Sequence, residues 1–357
     1  MKNFMTLIAA YKEYDIPILL GDVLITSGGS EFHCKKINKI TPNFVIGWTG
    51  LKINAMSVIR QLFRTFGGKQ VSMQDVENFL LNLDTSQFLG AENEIKLNML
   101  GWVVDNNKKY CFGWYSALNN DEYKQLIFLD ENEKGLFAGS GSKFFEGLLQ
   151  DRANFNFHSP QLTPYSKAVG RVLNEICALT NAEYLAIDKS WRNGFGFAYE
   201  VLIYDGEEFN YLNNIMYFTL NIFTASDWKI LNYEVLPILY RYRTYGNISL
   251  FQISNNGINN NETHQYYVGR GYDNDAKKHV EFITAVEGHL PILTPKSNYY
   301  CLTIRTINQN KCCVGMMTIF GNNNTFFRIN YKNNYVIFSF SPTFHRLLKD
   351  SIEANKY

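Results

Sequence analysis

Short runs of aliphatic and β-branched residues, separated by polar turns, dominate the first part of the chain. Two such runs span residues 4–11 and 16–26, and the polar stretch Lys12–Asp15 lies between them. This pattern predicts a β-hairpin. The turn residues Thr41–Asn43 are followed by a third apolar run at Phe44–Trp48, so we expect another strand there.

The apolar spacing changes to a helical period after Leu51 and keeps it until Gly67. Ser72 and Asp75 have the spacing of a capping box, which predicts the start of a second helix. Further patterns predict strands Leu97–Asp105, Lys109–Tyr115, Leu126–Leu129 and Leu136–Ala138, helices Lys143–Gln150 and Ser166–Thr180, and strand Ala198–Tyr204. This order favours an α+β fold in which two antiparallel sheets lie between helix layers.

The pattern changes again at about residue 215. A helix is expected near Met216–Phe223, and a last short helix at Phe344–Ile352. Between them, Asn- and Gly-rich turns separate strand-like runs at Ser249–Ile253, His264–Gly269, Val280–Thr284, Tyr299–Thr306, Val314–Phe320, Thr325–Tyr331 and Tyr335–Phe340. We therefore predict a first domain of residues 1–215 and a C-terminal domain of residues 216–357, an all-β sandwich or open barrel.

Composition excludes several function classes. Hydrophobic residues make up 46% of the 357 residues and charged residues 19%, as in an ordinary globular protein. The 34 basic and 33 acidic residues give a net charge of +1, so bulk charge does not favour a nucleic-acid partner or an anionic membrane. No apolar run is long enough to span a membrane and the start does not resemble a signal peptide. We expect a cytoplasmic protein.

The six cysteines and six histidines show no metal-binding spacing and no CxxC pair. We therefore expect reduced, mostly buried cysteines, no metal and no cofactor. In the C-terminal domain, aromatic residues alternate with polar ones as in a normal β core, and no dense basic stripe accompanies them. This domain is expected to bind a protein partner or a ligand.

Several short motifs occur in a recognisable order: Thr6–Ala10, Gly21-Asp22, Lys35–Ile37, Val45–Gly50 with its following helix, and Phe137–Gly141. With weaker support from Leu179–Asn181 and Tyr199–Tyr204, they make roughly residues 4–212 resemble the proteasome β-subunit and bacterial HslV-type peptidase family. The resemblance implies the four-layer αββα sandwich of N-terminal-nucleophile (Ntn) hydrolases. It also implies a homo-oligomer assembled through the helix layers.

The resemblance assigns a role to five residues. Thr6 would be the nucleophile, with its freed α-amine as base. Lys36 would lower the pKa of the Thr6 hydroxyl, and Asp22 would keep Lys36 charged and in position. The backbone N–H of Gly50 would form the oxyanion hole, and Ser140 would assist proton movement near the amine.

Each of these residues also has a structural interpretation. Lys36 could point outward from a strand, and Asp22 could belong to a turn. Gly50 could be a glycine at a helix start, and Ser140 an N-cap. Taken singly each structural interpretation is favoured, whereas the joint order favours the family fold.

Three departures from the family pattern affect the function. The first is that Met5 precedes Thr6, at a position where self-processing members carry glycine. The second is that Met5 itself occupies the nucleophile position if the alignment is shifted by one residue. The late segment Arg192–Gly196 lacks the acid that supports the active threonine. Two hypotheses follow. The favoured one is an unprocessed, non-proteolytic scaffold in which residues 1–5 extend the first strand and plug the site. The alternative is a threonine-type amide hydrolase activated by removal of residues 1–5.

Overall fold

The computed structural model describes most of the chain. The described residues are 6–27, 30–90, 96–116, 125–130, 133–151, 162–185, 199–235, 238–245, 248–255, 263–273, 278–286, 298–308, 311–321, 326–332 and 335–354. The chain divides into two compact units, Met1–Leu212 with Tyr272–Val280, and Asn213–Gly271 with Glu281–Tyr357. The class is mixed α+β, so this part of the prediction is confirmed. The roles expected of the two parts stay predictions.

The first unit contains two five-stranded sheets and four helices among its described residues. In chain order its elements are β1 (Ile8–Glu13), β2 (Ile16–Asp22), β3 (Leu24–Ser27), β4 (Ser30–His33), β5 (Ile37–Thr41), β6 (Phe44–Gly50), α1 (Lys52–Phe66), α2 (Met73–Leu81), β7 (Leu97–Asp105), β8 (Lys108–Tyr115), β9 (Gln125–Phe128), β10 (Gly135–Ala138), α3 (Ser142–Asp151), α4 (Pro164–Leu185), β11 (Tyr199–Tyr204) and β12 (Phe209–Tyr211).

The two five-stranded sheets are antiparallel throughout. One has the order β10-β1-β2-β11-β12 and the other β5-β6-β7-β8-β9, while β3 and β4 form a separate hairpin. Helices α1 and α2 contact the second sheet, and α3 and α4 contact the first. Strands β1 and β2 also contact β6 and β7, so the sheets face each other.

Local sequence explains several of these boundaries. Tyr14 and Asp15 both have positive φ and form a two-residue turn, so the hairpin is tighter than the predicted Lys12–Asp15 turn. The capping box at α2 is confirmed, because the N–H of Asp75 donates to Ser72 Oγ and the N–H of Ser72 donates to Asp75 Oδ2. Within the described ranges, no helix combines the length and apolarity needed to cross a membrane.

Two glycines lie where the sheets approach most closely. A Cβ at Gly21 on β2 would lie 2.7 Å from Ile37 Cγ2 and 2.8 Å from Ile8 Cδ1. A Cβ at Gly47 on β6 would lie 2.8 Å from Ile8 Cγ2. These isoleucines belong to the core between the sheets, which also contains Ala10, Leu19, Val45, Leu100, Trp102 and Leu202. The glycines therefore set the spacing at which that core packs.

A buried polar cluster attaches α4 to β1. The Tyr11 hydroxyl donates to Glu175 Oε2 at 2.5 Å, and Arg171 Nε lies 3.5 Å from Glu175 Oε1. Glu175 is fully buried, so its charge depends on these neighbours. Burial, followed by the Glu175 carboxylate, holds the pKa of Tyr11 well above its usual value.

The rest of the chain is mostly β-structure. It contains β13 (Ile215–Thr224), β14 (Ile230–Val235), β15 (Ile238–Tyr245), β16 (Ile248–Asn255), β17 (Thr263–Asp273), β18 (Lys278–Val286), β19 (Tyr299–Asn308), β20 (Lys311–Phe320), β21 (Phe327–Lys332), β22 (Tyr335–Phe340) and α5 (Pro342–Ala354). Eight strands form one sheet of order β18-β17-β16-β15-β13-β19-β20, with β14 also paired to β13. The hairpin β21–β22 contributes Phe327, and α5 contributes Phe344 and Leu348, to a core with Met216 and Leu302.

The helix expected near Met216–Phe223 is wrong, because this segment is strand β13. It pairs in parallel with β19 and antiparallel with β14 and β15. Met216 and Leu220 are four residues apart, a spacing that fits a helix as well as one face of a strand. Both pack with Ile222 in one hydrophobic core, and the even spacing of the three residues is that of one face of a strand.

We expect Gly21→Ala to destabilise the first unit. The added methyl group has to displace Ile37 and Ile8, and such overpacking costs about 1–3 kcal/mol. Gly147→Ala in α3 is the matched control, because nothing lies within 4 Å of its added Cβ. Alanine is the better helix former, so this control should gain up to about 1 kcal/mol. Chemical unfolding of both variants checks the prediction, and equal losses would contradict it.

We expect the stability contributed by Tyr11 to depend on pH. The raised pKa keeps the buried phenol neutral after the unfolded phenol has ionised. The wild type is therefore stabilised fully below about pH 10 and loses this contribution as the pH rises further. Tyr11→Phe should cost about 1–3 kcal/mol at pH 8, because Glu175 loses its donor. The difference in free energy of unfolding between wild type and variant should become smaller above pH 10. A difference that stays constant as the pH rises would contradict this explanation.

Candidate functional site

Thr6 lies just before β1 and is held by its main chain. Its backbone N–H donates to Ser140 Oγ at 3.1 Å, and its carbonyl accepts from the N–H of Gly141 at 3.2 Å. The residue is 4% exposed. Both contacts come from the turn between β10 and α3, so this turn sets the position of Thr6.

Asp22 ends β2 and joins three groups through one oxygen. Its Oδ1 accepts from the N–H of Leu7 at 2.8 Å, from Thr6 Oγ1 at 3.3 Å and from Lys36 Nζ at 2.6 Å. The N–H of Asp22 in turn donates to the carbonyl of Leu7 at 3.0 Å. The carboxylate is buried and is the centre of the arrangement. It is therefore not a residue of an exposed turn.

Lys36 lies directly before β5 and not inside a strand, which corrects the expectation from sequence. It is 1% exposed, so it does not point outward. Besides Asp22, its Nζ donates to the carbonyl of Leu24. The N–H of Trp48 donates to the Lys36 carbonyl at 3.2 Å and continues the contact with β6. Burial lowers the pKa of Lys36, and this effect exceeds the opposing one of the Asp22 carboxylate.

Ser140 lies in the turn before α3 and faces Thr6. Helix α3 begins at Ser142, so the N-cap position belongs to Gly141 and not to Ser140. Gly139 precedes them with φ of +95°, and a Cβ there would lie 2.0 Å from the Thr6 carbonyl oxygen. Glycine at position 139 is therefore required for the close approach to Thr6.

Gly50 ends β6 with φ of +104° and pairs with Leu97 of β7. Helix α1 begins two residues later, and its N-cap residue Leu51 offers no side-chain hydrogen bond. The hydrogen bonds described for this part of the chain do not join Gly50 to the other four residues. Its oxyanion role stays a prediction, as do the catalytic roles of the other four.

Two expectations lie outside the described residues. One is the strand extension and plug formed by residues 1–5, together with Met5 as the occupant of the nucleophile position. The other is the segment Arg192–Gly196 that lacks the supporting acid. Among the residues that the structure describes, no group of three His, Cys, Asp or Glu side chains could hold a metal ion.

Sequence reasoning missed a second buried ion pair beside the site. Lys35 Nζ lies 2.7 Å from Glu200 Oε1, and both side chains are at most 2% exposed. Glu200 lies in the otherwise apolar and aromatic strand β11. A single acid in such a strand is a signal that could have identified the pair, because a buried charge needs a partner.

The arrangement can position a hydroxyl, but the backbone nitrogen of Thr6 cannot act as its base. Because Met5 precedes Thr6, the Thr6 nitrogen belongs to a peptide bond, and its lone pair is delocalised. A free amine at this position would have Ser140 Oγ as its neighbour. Neither protein-family models nor curated proteins match this chain.

We expect Gly139→Ala to be more destabilising than Gly206→Ala. Both glycines have positive φ, of +95° and +112°, so alanine is strained by on the order of 1–3 kcal/mol at either position. A Cβ at Gly206 meets nothing within 4 Å, whereas a Cβ at Gly139 collides with the Thr6 carbonyl oxygen. The excess loss in chemical unfolding measures that collision. Equal losses would show that the turn does not hold Thr6.

Proposed function

We propose that the first unit is a proteasome-subunit-like domain with the αββα arrangement of Ntn hydrolases. Three observations support this fold. The two antiparallel sheets face each other, α1 and α2 contact one sheet, and α3 and α4 contact the other. Thr6, Asp22, Lys36 and Ser140 are joined by hydrogen bonds at one end of the first sheet.

With residues 1–5 attached, we propose that this domain is a non-proteolytic scaffold. The observation that carries the proposal is the state of Thr6. Its nitrogen is a peptide N–H that donates to Ser140, and the residue is buried. An Ntn hydrolase needs a free α-amine as base and a hydroxyl that a substrate carbonyl can reach. In the unprocessed chain the nitrogen belongs to a peptide bond and the residue is buried.

A scaffold needs surfaces for its partners. Assembly of like subunits through the helix layer of α1 and α2 would cover Ile53, which is 60% exposed, and Leu81, which is 45% exposed. The C-terminal β-structure supplies the partner- or ligand-binding module in this proposal. Its large sheet offers edge positions where extended segments bind.

The second candidate function is a threonine-type amide hydrolase formed by cleavage before Thr6. The hydrogen bond of 3.3 Å from Thr6 Oγ1 to Asp22 Oδ1, which also accepts from Lys36, favours it. The freed amine would take the hydroxyl proton while Oγ1 attacks an amide carbonyl, and it would pass that proton to the leaving amine as the C–N bond breaks. Water would then hydrolyse the acyl ester, releasing the carboxylic acid and restoring the Thr6 hydroxyl.

Intact mass and N-terminal sequencing of the purified protein separate the two functions. We expect residues 1–5 to be retained. We also expect that any hydrolysis of peptide or amide substrates by the preparation is unchanged in Thr6→Ala. A second form of the protein that begins at Thr6 should be prepared for comparison. A recognition site for a specific protease, placed directly before Thr6, allows this form to be made by cleavage. Recovery of an untreated chain that begins at Thr6 and loses its activity with Thr6→Ala would overturn the scaffold proposal in favour of the hydrolase.

A further inference from the structure

Two consecutive lysines next to the candidate site bind two different buried acids. Lys36 Nζ lies 2.6 Å from Asp22 Oδ1, and Lys35 Nζ lies 2.7 Å from Glu200 Oε1. All four side chains are at most 2% exposed. The lysine pair is therefore attached through two separate buried ion pairs.

The two acids are carried by one hydrogen-bonded pair of strands. In the antiparallel ladder of β2 and β11, Asp22 is opposite Tyr199, and Gly21 is opposite Glu200. The acids therefore occupy neighbouring positions on a rigid ladder. Two attachments to this ladder leave Lys35 and Lys36 little freedom to slide or rotate.

The lysine segment needs such attachment because it lies outside regular structure. Residues 34–36 lie between β4 and β5. The N–H of Cys34 donates to the Val23 carbonyl at 2.8 Å. Lys35 Nζ also lies 4.0 Å from the centre of the Tyr211 ring, and the Tyr211 hydroxyl donates to the Ile37 carbonyl at 3.2 Å. The neighbours of Lys36 in the chain, Cys34, Lys35 and Ile37, are thus each held by a contact of their own.

The two ammonium groups differ in how firmly they hold their protons. Burial lowers the pKa of Lys35, but the Glu200 carboxylate and Tyr211 outweigh it and the net direction is upward. Burial lowers the pKa of Lys36 more than Asp22 and Cys34 raise it. The Lys35 ammonium therefore holds its proton more firmly than the Lys36 ammonium does.

We propose that the Lys35–Glu200 ion pair positions the Lys36 amine against Asp22 and Thr6. Lys35 and Glu200 are positioning residues, since neither contacts Thr6 in the described structure. The inference rests on the proposed role of Lys36 in the Ntn-like site. Stability alone gives little reason for the pair, because well-packed apolar residues often replace a buried ion pair without loss.

The test measures the titration of the Lys36 side chain in the full-length protein. Lysine labelled with ¹³C at Cε gives NMR signals, and Lys36→Met identifies the signal of Lys36. In the double variant Lys35→Met/Glu200→Met, we expect the pKa of Lys36 to rise by about one unit, a tenfold change in proton affinity. The reason is that a less fixed Lys36 becomes more hydrated, and burial is the main cause of its lowered pKa.

The matched control is Lys39→Met/Glu208→Met. This pair has a similar N–O distance of 2.6 Å in the same unit but is partly exposed. We expect the Lys36 titration to be unchanged in the control. The charge-exchanged variant Lys35→Glu/Glu200→Lys should restore the wild-type titration if the pair acts through position. A folded double variant with an unchanged Lys36 titration would overturn the proposal, as would a control that shifts it equally.

Glu200→Gln covers the case in which the double variant fails to fold. It keeps the size and one acceptor oxygen of the side chain but removes the charge that binds Lys35. We expect a smaller shift of the Lys36 titration in the same direction, and no shift in the folded variant contradicts the proposal. The titration needs no catalytic activity. A form beginning at Thr6 that hydrolyses no amide would therefore refute the hydrolase and leave this inference standing.

Discussion

The buried carboxylate of Asp22 is the constraint on which the site depends. One oxygen accepts hydrogen bonds from Leu7, Thr6 and Lys36, and these donors come from two segments, one before Asp22 in the chain and one after it. A buried negative charge requires such donors, and the Lys36 ammonium supplies the opposite charge. The need to compensate the buried charge of Asp22 thus determines where the Thr6 hydroxyl lies, how deeply Lys36 is buried and where β2 ends. Removing any donor leaves the carboxylate undercompensated.

The same burial that holds the site together also limits what it does. Desolvation lowers the pKa of Lys36, so burial weakens the hold of this ammonium group on its proton. It also separates the Thr6 hydroxyl from solvent and substrate, since Thr6 is 4% exposed. The four hydrogen-bonded residues thus form an assembled cluster whose hydroxyl is closed off from solvent. A free amine at Thr6 requires cleavage of the peptide bond before it, and side-chain motion alone leaves that bond intact.

Features encoded locally were predictable from sequence, whereas features that depend on distant pairing were not. The capping box of α2 is set by Ser72 and Asp75, three residues apart, and was predicted correctly. Strand β13 was taken for a helix because its partner β19 begins at Tyr299, far along the chain. Asp22 and Lys36 were found through a family resemblance, and only the fold explains why they meet. Lys35 and Glu200 are distant in sequence, and their pairing depends on the register of β2 and β11.

The turn from Gly139 to Gly141 holds Thr6 through its N–H and its carbonyl, neither of which depends on the side chain. The position at the start of β1 is therefore specified by the main chain, and the residue placed there inherits its location. Serine, cysteine or threonine would present its hydroxyl or thiol from the same backbone position. The main-chain contacts determine where the side-chain group is located, whereas the residue type at position 6 determines which chemical group it is. Evolution and protein engineering can change the chemistry at this position without rebuilding the scaffold around it.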